Sequence, residues 1–286
     1  MKCLVITGVL LLVLAADLSA SQSVITEASG SACMGDDKSR KETEQLALKD
    51  AKRQAAEYAA TYIRSETRVK DAALESDLIS AYANARVAVL QELEKGWHKD
   101  AASGDCFGIR LKVEVTPDQK AIAAASQKTS TDDPAAPLSV KVWSDRKAYK
   151  QGERIKIFLK ANKPFYGRVV YRDAGGKLIQ LLPNPFRREN YFNGGVVYEL
   201  PGNGDRFDLE VTPPFGPEGV TVYAATAPLG EIETAVSGGV YEILGRSQDV
   251  GAGARGVKIG AKGSGVGGAP PATEFAEAVA EVTTAR

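Results

Sequence analysis

Residues 106–116 read Cys-Phe-Gly-Ile-Arg-Leu-Lys-Val-Glu-Val-Thr, and this stretch decides the fold of the first half of the chain. From residue 109 onward apolar and polar side chains alternate: Ile109, Leu111, Val113 and Val115 against Arg110, Lys112, Glu114 and Thr116. Because successive side chains of a strand point to opposite faces, this period predicts a strand with one buried face. The first half therefore contains a sheet that another element must cover.

A helix is predicted to provide that cover. Ser39 and Glu42 have the S-x-x-E spacing of a capping box, which favours a helix from Ser39 to about Ile63. Apolar residues at intervals of three and four give this helix one buried stripe, formed by Leu48, Ala51, Ala55, Tyr58 and Tyr62. A shorter helix is expected at 77–83, and a strand, with a helix as the alternative, at 87–97.

The N-terminus predicts export from the cytoplasm. Met1-Lys2 is followed by an apolar run over residues 4–16, which is shorter than the ~20 residues that a spanning helix needs. With small residues before position 21, this pattern is typical of a cleaved signal peptide at 1–20, and an uncleaved anchor is the alternative. We expect a periplasmic or secreted protein without a transmembrane segment after cleavage.

Export changes the meaning of the three cysteines. Cleavage removes Cys3 and leaves Cys33 and Cys106, an even number in an oxidising compartment. A structural disulfide is predicted, with free thiols as the alternative. If Cys33 ends an opening strand, the bond joins that strand to the one at 106–116. No cysteine or histidine lies near either residue at finger-like spacing, so no metal site is predicted.

The composition limits the function. The chain has 36 basic and 36 acidic side chains and a formal net charge of zero, whereas nucleic-acid-binding proteins are usually basic. A single histidine, His98, excludes a multi-histidine metal site and leaves Ser-His-Asp chemistry dependent on that one residue. We therefore expect no enzyme activity, no cofactor and no nucleic-acid partner.

The second half predicts a sandwich of short strands. Residues 119–137 have few large apolar side chains and are expected to form a flexible linker. Glycine- and proline-rich turns then separate seven predicted strands: 138–143, 154–161, 168–172, 177–182, 196–200, 206–212 and 219–226. The predicted fold class is α+β, with an N-terminal α+β domain at 25–118 followed by an antiparallel β-sandwich domain at 138–245.

The C-terminal region contains a misleading motif. Residues 251–256 match G-x-G-x-x-G, but this dinucleotide fingerprint requires a strand before it and a helix after it. The residues that follow are rich in glycine, so we expect 246–272 to be a flexible segment. Alternation resumes at 273–286, which is predicted to be a strand returning to the sandwich, or a short helix.

One loop is the candidate binding site. Its residues combine aromatic rings with guanidinium groups: Phe186, Arg187, Arg188, Tyr191 and Phe192. Exposed aromatics beside arginines could stack on a sugar or bind a protein partner; alternatively, these rings close one end of the sandwich. Residues 138–230 have 14 basic and 9 acidic side chains, which would suit an acidic polymer or lipid headgroups.

The first half resembles a known group of bacterial envelope domains. The run Ser31-Ala-Cys-Met-Gly-Asp-Asp-Lys, the alanine-rich helix at 46–55 and the strand at 107–116 are similar to the N-terminal domain of flagellar assembly protein T and to LPP20 lipoprotein-type domains. Unlike the lipoproteins, the chain has no lipobox cysteine. The resemblance implies a non-catalytic α+β envelope domain.

The second half resembles domain-of-unknown-function family 4384. The resemblance depends on Tyr149-Lys-Gln-Gly-Glu-Arg-Ile-Lys-Ile, Gly176-Lys-Leu-Ile-Gln-Leu-Leu-Pro-Asn-Pro and Tyr198-Glu-Leu-Pro-Gly, and implies a β-rich accessory domain. We expect a secreted, non-enzymatic bacterial cell-envelope protein whose sandwich contacts an envelope protein or polymer. The alternatives are a carbohydrate-binding module and a carboxylate-based hydrolase.

Overall fold

The computed structural model describes residues 21–66, 80–82, 84–118, 121, 132–237, 240–256 and 272–286. The elements in chain order are β1 (Ser21–Cys33), α1 (Arg40–Glu66), β2 (Arg86–Asp100), β3 (Gly104–Thr116), β4 (Val140–Ser144), β5 (Ala148–Lys150), β6 (Ile157–Ala161), β7 (Phe165–Arg172), β8 (Leu178–Leu182), β9 (Tyr191–Phe192), β10 (Tyr198–Leu200), β11 (Pro217–Ala225), β12 (Thr234–Ser237), β13 (Val240–Ile243), α2 (Ser247–Ala254) and β14 (Thr273–Ala285). The predicted signal peptide at 1–20 lies outside the described residues. Among those residues, no helix is both long and apolar enough to cross a membrane.

Two sheets organise the strands. Along the large sheet the order is β12-β13-β8-β7-β11-β14-β1-β3-β2, with β5 beside β14 and β9 beside β7, and the small sheet has the order β10-β6-β4. The small sheet packs on the C-terminal part of the large one, and buried residues such as Leu159, Val169 and Val220 fill the space between them. This arrangement confirms the predicted α+β class and its antiparallel sandwich.

Helix α1 covers β1 and β3, as the alternation at 106–116 requires. Its start matches the predicted capping box: the Ser39 amide donates to Glu42 Oε2 at 2.8 Å, and the Glu42 amide donates to Ser39 Oγ at 3.3 Å. The described part of the predicted helix at 77–83 is helical at 80–82, and the segment at 87–97 is a strand, within β2.

The buried face of α1 differs from the predicted one. The apolar side chains that are fully buried are Ala47, Ala51, Ala55, Ala59 and Ile63, whereas Leu48, Tyr58 and Tyr62 are only partly buried. The cause is Gly30 on β1, where a Cβ would lie 2.8 Å from the Ala51 Cα and even closer to backbone atoms of Ala47 and Ala51. Because the helix backbone lies so close to the strand, alanines must face it, and the larger side chains lie to either side.

The predicted disulfide is confirmed. Cys33 and Cys106 are direct partners in the β1–β3 ladder, and their sulfur atoms are 2.00 Å apart. The bond therefore connects the end of the first strand to the start of the third. His98 lies opposite Cys106 on β2 and is exposed.

The C-terminal strand joins the two halves. β14 pairs with β11 of the sandwich on one edge and with β1 on the other, so one sheet runs through both halves. At this junction Arg255 donates to Glu114 Oε1 at 2.7 Å and to Glu277 Oε2 at 3.3 Å, and lies over the ring of Phe275. The halves therefore share backbone hydrogen bonds in addition to the chain between them.

The glycine-rich segment is partly helical, which corrects the prediction of a flexible segment at 246–272. Residues 247–254 form α2, because Val250 and Ala254 are buried against Tyr223 and Phe275. The G-x-G-x-x-G letters begin inside this helix instead of preceding it, so they do not form the strand–turn–helix of a dinucleotide site. Residues 257–271 lie outside the described part.

Two further sequence expectations need correction. Six of the seven predicted strands of the second half overlap observed strands, but 206–212 forms only an isolated bridge, between Glu210 and Arg154. Its partner segment, 152–155, lies in the connection between β5 and β6, and three backbone hydrogen bonds join the two segments. Within the predicted flexible linker, 132–137 is held in place, because the side-chain NH2 of Asn162 lies within hydrogen-bonding distance of the carbonyls of Asp133, Ala136 and Pro137 and shares its two hydrogens among them.

A buried tyrosine hydroxyl organises the turn after β4. Tyr149 Oη donates to Asp145 Oδ1 at 2.6 Å, and the Lys156 amide donates to the same oxygen at 3.0 Å. Burial by itself would raise the pKa of the Asp145 carboxyl, but these hydrogen bonds outweigh it and lower the pKa overall. This carboxylate therefore stabilises the fold in its charged form.

Candidate functional site

The predicted binding loop is held in a defined conformation. It connects β8 to β9, and the side chain of Asn184 closes it. The Asn184 amide group donates to the Leu181 carbonyl at 2.7 Å, while its Oδ1 accepts from the Phe186 and Arg187 amides at 2.8 and 2.7 Å. The side chains that follow are therefore presented from a fixed turn.

Two of the five predicted residues point inward. Phe192 is 1% exposed and stacks on Phe165 with ring centroids 5.0 Å apart. Arg187 pairs with Asp205 at 3.2 Å and lies over the Phe192 ring. These residues close the end of the sandwich, which is the alternative that the sequence left open, and they are not available to a partner.

The other three predicted residues are exposed. Phe186 is 55% and Tyr191 46% accessible, and Arg188 is also exposed. Phe186 lies beside Phe207 with centroids 6.4 Å apart, and Tyr191 meets the edge of Tyr166 at 5.1 Å. The flanking rings restrict both side chains, so less conformational entropy is lost when a partner binds.

Two valines a few residues further along the chain are also exposed. Val196 and Val197 are 44% and 51% exposed. In the described part of the chain, four of the ten exposed large hydrophobic side chains fall between residues 186 and 197. We call the set Phe186, Arg188, Tyr191, Val196 and Val197 the aromatic surface; tyrosine and arginine, the types of Tyr191 and Arg188, are enriched among the hot spots of interfaces.

A second exposed aromatic feature was missed from the sequence. Trp143 on β4 stacks on Phe158 of β6, with centroids 5.7 Å apart and ring planes 18° from parallel. Trp143 is 36% exposed on the outer face of the small sheet. The sequence does contain a signal for this exposed ring. In the alternating strand β4 the inward residues are Val140 and Val142, so Trp143 occupies a position at which a polar residue is expected.

A cavity with a buried carboxylate was also missed. It has a volume of about 210 Å³, opens between the two sheets of the sandwich, and has Tyr171 and Glu218 in its lining. Glu218 is 2% exposed and accepts hydrogen bonds from Tyr171 Oη and from Thr284 Oγ1. Burial, and then the hydrogen bond to Glu218, raise the pKa of the Tyr171 hydroxyl.

The larger groove of the first half, about 650 Å³, carries no comparable group. Its charged lining residues include Glu94 and Arg110, which pair with each other at 2.7 Å. Over the described ranges, no three histidine, cysteine, aspartate or glutamate side chains are grouped so that they could hold a metal ion.

Comparison with known proteins finds a family match within the second half, over residues 148–228. No curated protein matches the chain. The matched segment runs from β5 to just beyond β11, and so contains the aromatic surface and most of the lining of the 210 Å³ cavity. Residues 148–228 of this chain match the family described as Domain of unknown function (DUF4384).

Proposed function

We propose that this chain is an exported, non-enzymatic protein of the bacterial cell envelope, and that its sandwich binds a protein partner through the aromatic surface. The Cys33–Cys106 disulfide supports export, because such bonds persist mainly in oxidising compartments. The signal-peptide pattern at 1–20 supports the same location, and so does the resemblance of the first half of the chain to bacterial envelope domains.

The observation that carries the proposal is the grouping of exposed rings with an arginine on a fixed loop. Tyrosine, phenylalanine and arginine are enriched in protein interfaces, and exposed apolar groups that cluster indicate contact surfaces more strongly than scattered ones do. Asn184 and the Arg187–Asp205 pair hold the loop without occupying its outer side chains. A partner can therefore bind Phe186 and Tyr191 without rearranging the sandwich.

A site-specific photo-crosslink tests this surface in the living cell. With a photoreactive phenylalanine at position 191 we expect one dominant adduct, whereas the same group at Val236, which is 71% exposed on another strand, should give none. The purified partner should then bind Tyr191→Ala about 30-fold more weakly than wild type, as for an interface hot spot of about 2 kcal/mol. The matched control Val236→Ala should bind normally. Identical adducts at both positions would contradict the proposed surface.

Carbohydrate binding is the second candidate function, and the Trp143–Phe158 pair favours it. Phe158 stacks on one face of the Trp143 ring and so fixes its orientation, and the C–H face of a sugar could stack on the exposed part of this ring. A glycan array tests this candidate. Binding that Trp143→Ala abolishes and Tyr191→Ala leaves intact would support it, and the absence of any bound glycan would exclude it.

A further inference from the structure

The cavity inside the sandwich has apolar walls on both sheets. It lies near the start of β11. Its aliphatic side chains are Ile155, Ile157, Ile179, Leu181, Leu209 and Val240. Such walls favour an alkyl chain, and a volume of about 210 Å³ suits a small group instead of a large ligand.

Glu218 is the polar group that faces this space from within. It continues the inward-facing positions of Val220 and Val222 on β11, so its carboxylate lies at the end of the apolar core. Its two hydrogen bonds, from Tyr171 and Thr284, use about half of the roughly four acceptor positions of a carboxylate. In the described part of the chain Glu218 forms no ion pair. A buried carboxylate normally has a cationic partner, because removing an isolated charge from water is costly.

The lining residues nearer solvent add negative charge. Asp173, Asp208 and Glu210 contribute to the cavity, and one cation, Arg154, pairs with Asp208 at 3.2 Å. This local charge is opposite in sign to the excess of basic side chains over 138–230. The cavity therefore attracts cations, although the domain as a whole would attract anions.

We infer that this cavity binds an aliphatic ammonium group, supplied either by a free alkylamine or by a lysine side chain of a peptide. The alkyl stem would lie against Ile179, Leu181 and Leu209, and the ammonium would donate hydrogen bonds to Glu218. A lysine stem has four carbons and a compact charged end, which matches a narrow apolar space with a carboxylate at one end. This site shares no residue with the aromatic surface, so it goes beyond the proposed function and can fail independently of it.

Calorimetric titration of the full chain tests the inference. The probes are n-butylammonium chloride, a short peptide with one central lysine, the same peptide with the lysine acetylated, and n-butanol. We expect the charged probes to bind and the two uncharged probes to bind at least tenfold more weakly. Binding of butylammonium and peptide assigns the site to the ammonium itself, and binding of the peptide alone assigns it to lysine in a chain. No binding of either charged probe, or equal binding of butanol, overturns the inference.

Two variants locate the binding. Glu218→Gln keeps the size and hydrogen-bonding capacity of the side chain but removes its charge, and should weaken butylammonium or lysine-peptide binding at least tenfold. Val240 lines the cavity and is 38% exposed, so the larger side chain of Val240→Trp can fill part of the cavity without placing a polar group in the core. This variant should abolish binding. Leu244→Trp is the matched control, since Leu244 is exposed and does not line the cavity. Normal binding by a folded Val240→Trp variant would overturn the assignment.

Discussion

Substitution of Gly30 by alanine tests the close contact between α1 and the sheet. The added methyl group would lie 2.8 Å from the Ala51 Cα and would overlap the Ala47 carbonyl oxygen and the Ala51 amide nitrogen. All three atoms belong to the helix backbone, so no side chain can rotate away. The helix must move away from β1, and the buried alanine stripe then loses contact with the strand.

The expected cost follows from this geometry. Overpacking a well-packed site costs about 1–3 kcal/mol, and we expect the upper end because a backbone segment must shift. Gly96 on β2 provides a matched control, since a Cβ there has no atom within 4 Å. Gly96→Ala should be neutral or should stabilise by about 0.4–1 kcal/mol, because alanine restricts the unfolded chain.

Urea denaturation followed by circular dichroism measures both variants. We expect the free energy of unfolding of Gly30→Ala to fall by about 3 kcal/mol, which corresponds to a melting temperature lower by about 6–12 °C. If Gly30→Ala is as stable as Gly96→Ala, the helix does not approach β1 as closely as described. The explanation for the alanine stripe would then be wrong.

Three further predictions concern stability. Replacing Cys33 and Cys106 by serine should lower the free energy of unfolding by about 4 kcal/mol, because the disulfide closes a loop with a sequence separation of 73 residues. Equal urea midpoints for the oxidised protein and the double variant would contradict the disulfide. Arg255→Ala should lower the free energy of unfolding by about 3 kcal/mol, since it leaves the mostly buried carboxylate of Glu114 without this cation. Arg246→Ala removes an exposed ion pair and should lower it by less than about 1 kcal/mol. Equal losses of stability in thermal melts of the two variants would contradict the junction contact. The pKa of Asp145 is lower in the folded protein than in the unfolded chain, where it is about 4. The charged carboxylate therefore stabilises the fold at pH values above about 4, and this contribution is lost as the pH falls through the folded pKa. Asp145→Asn should thus be destabilising at pH 7 and nearly neutral at about pH 2, and an equal loss of stability at both pH values would refute this linkage.

The binding loop shows how far sequence reasoning reaches at a site. The composition of 185–194 correctly indicates an unusual concentration of rings and guanidinium groups, but not the direction of each side chain. The ladder with β7 directs Phe192 inward and Tyr191 outward, because neighbouring residues of a strand face opposite sides. Glu218 is a stronger case: it precedes the predicted strand at 219–226, lies within the observed β11, and is buried at the end of the core because of how the two sheets stack.

Local patterns in the sequence determined the elements. The alternation at 106–116, the spacing of Ser39 and Glu42, and the even pair of cysteines each depend on neighbouring residues or on residue type, so strand, helix start and disulfide were predictable. Which strand edges meet is different, because every strand offers the same backbone donors and acceptors. Only the tertiary structure placed β14 between β1 and β11, joined the halves into one sheet, and set α1 so close to Gly30 that alanines face it. Packing over long sequence distances decides these features, and no local period records it.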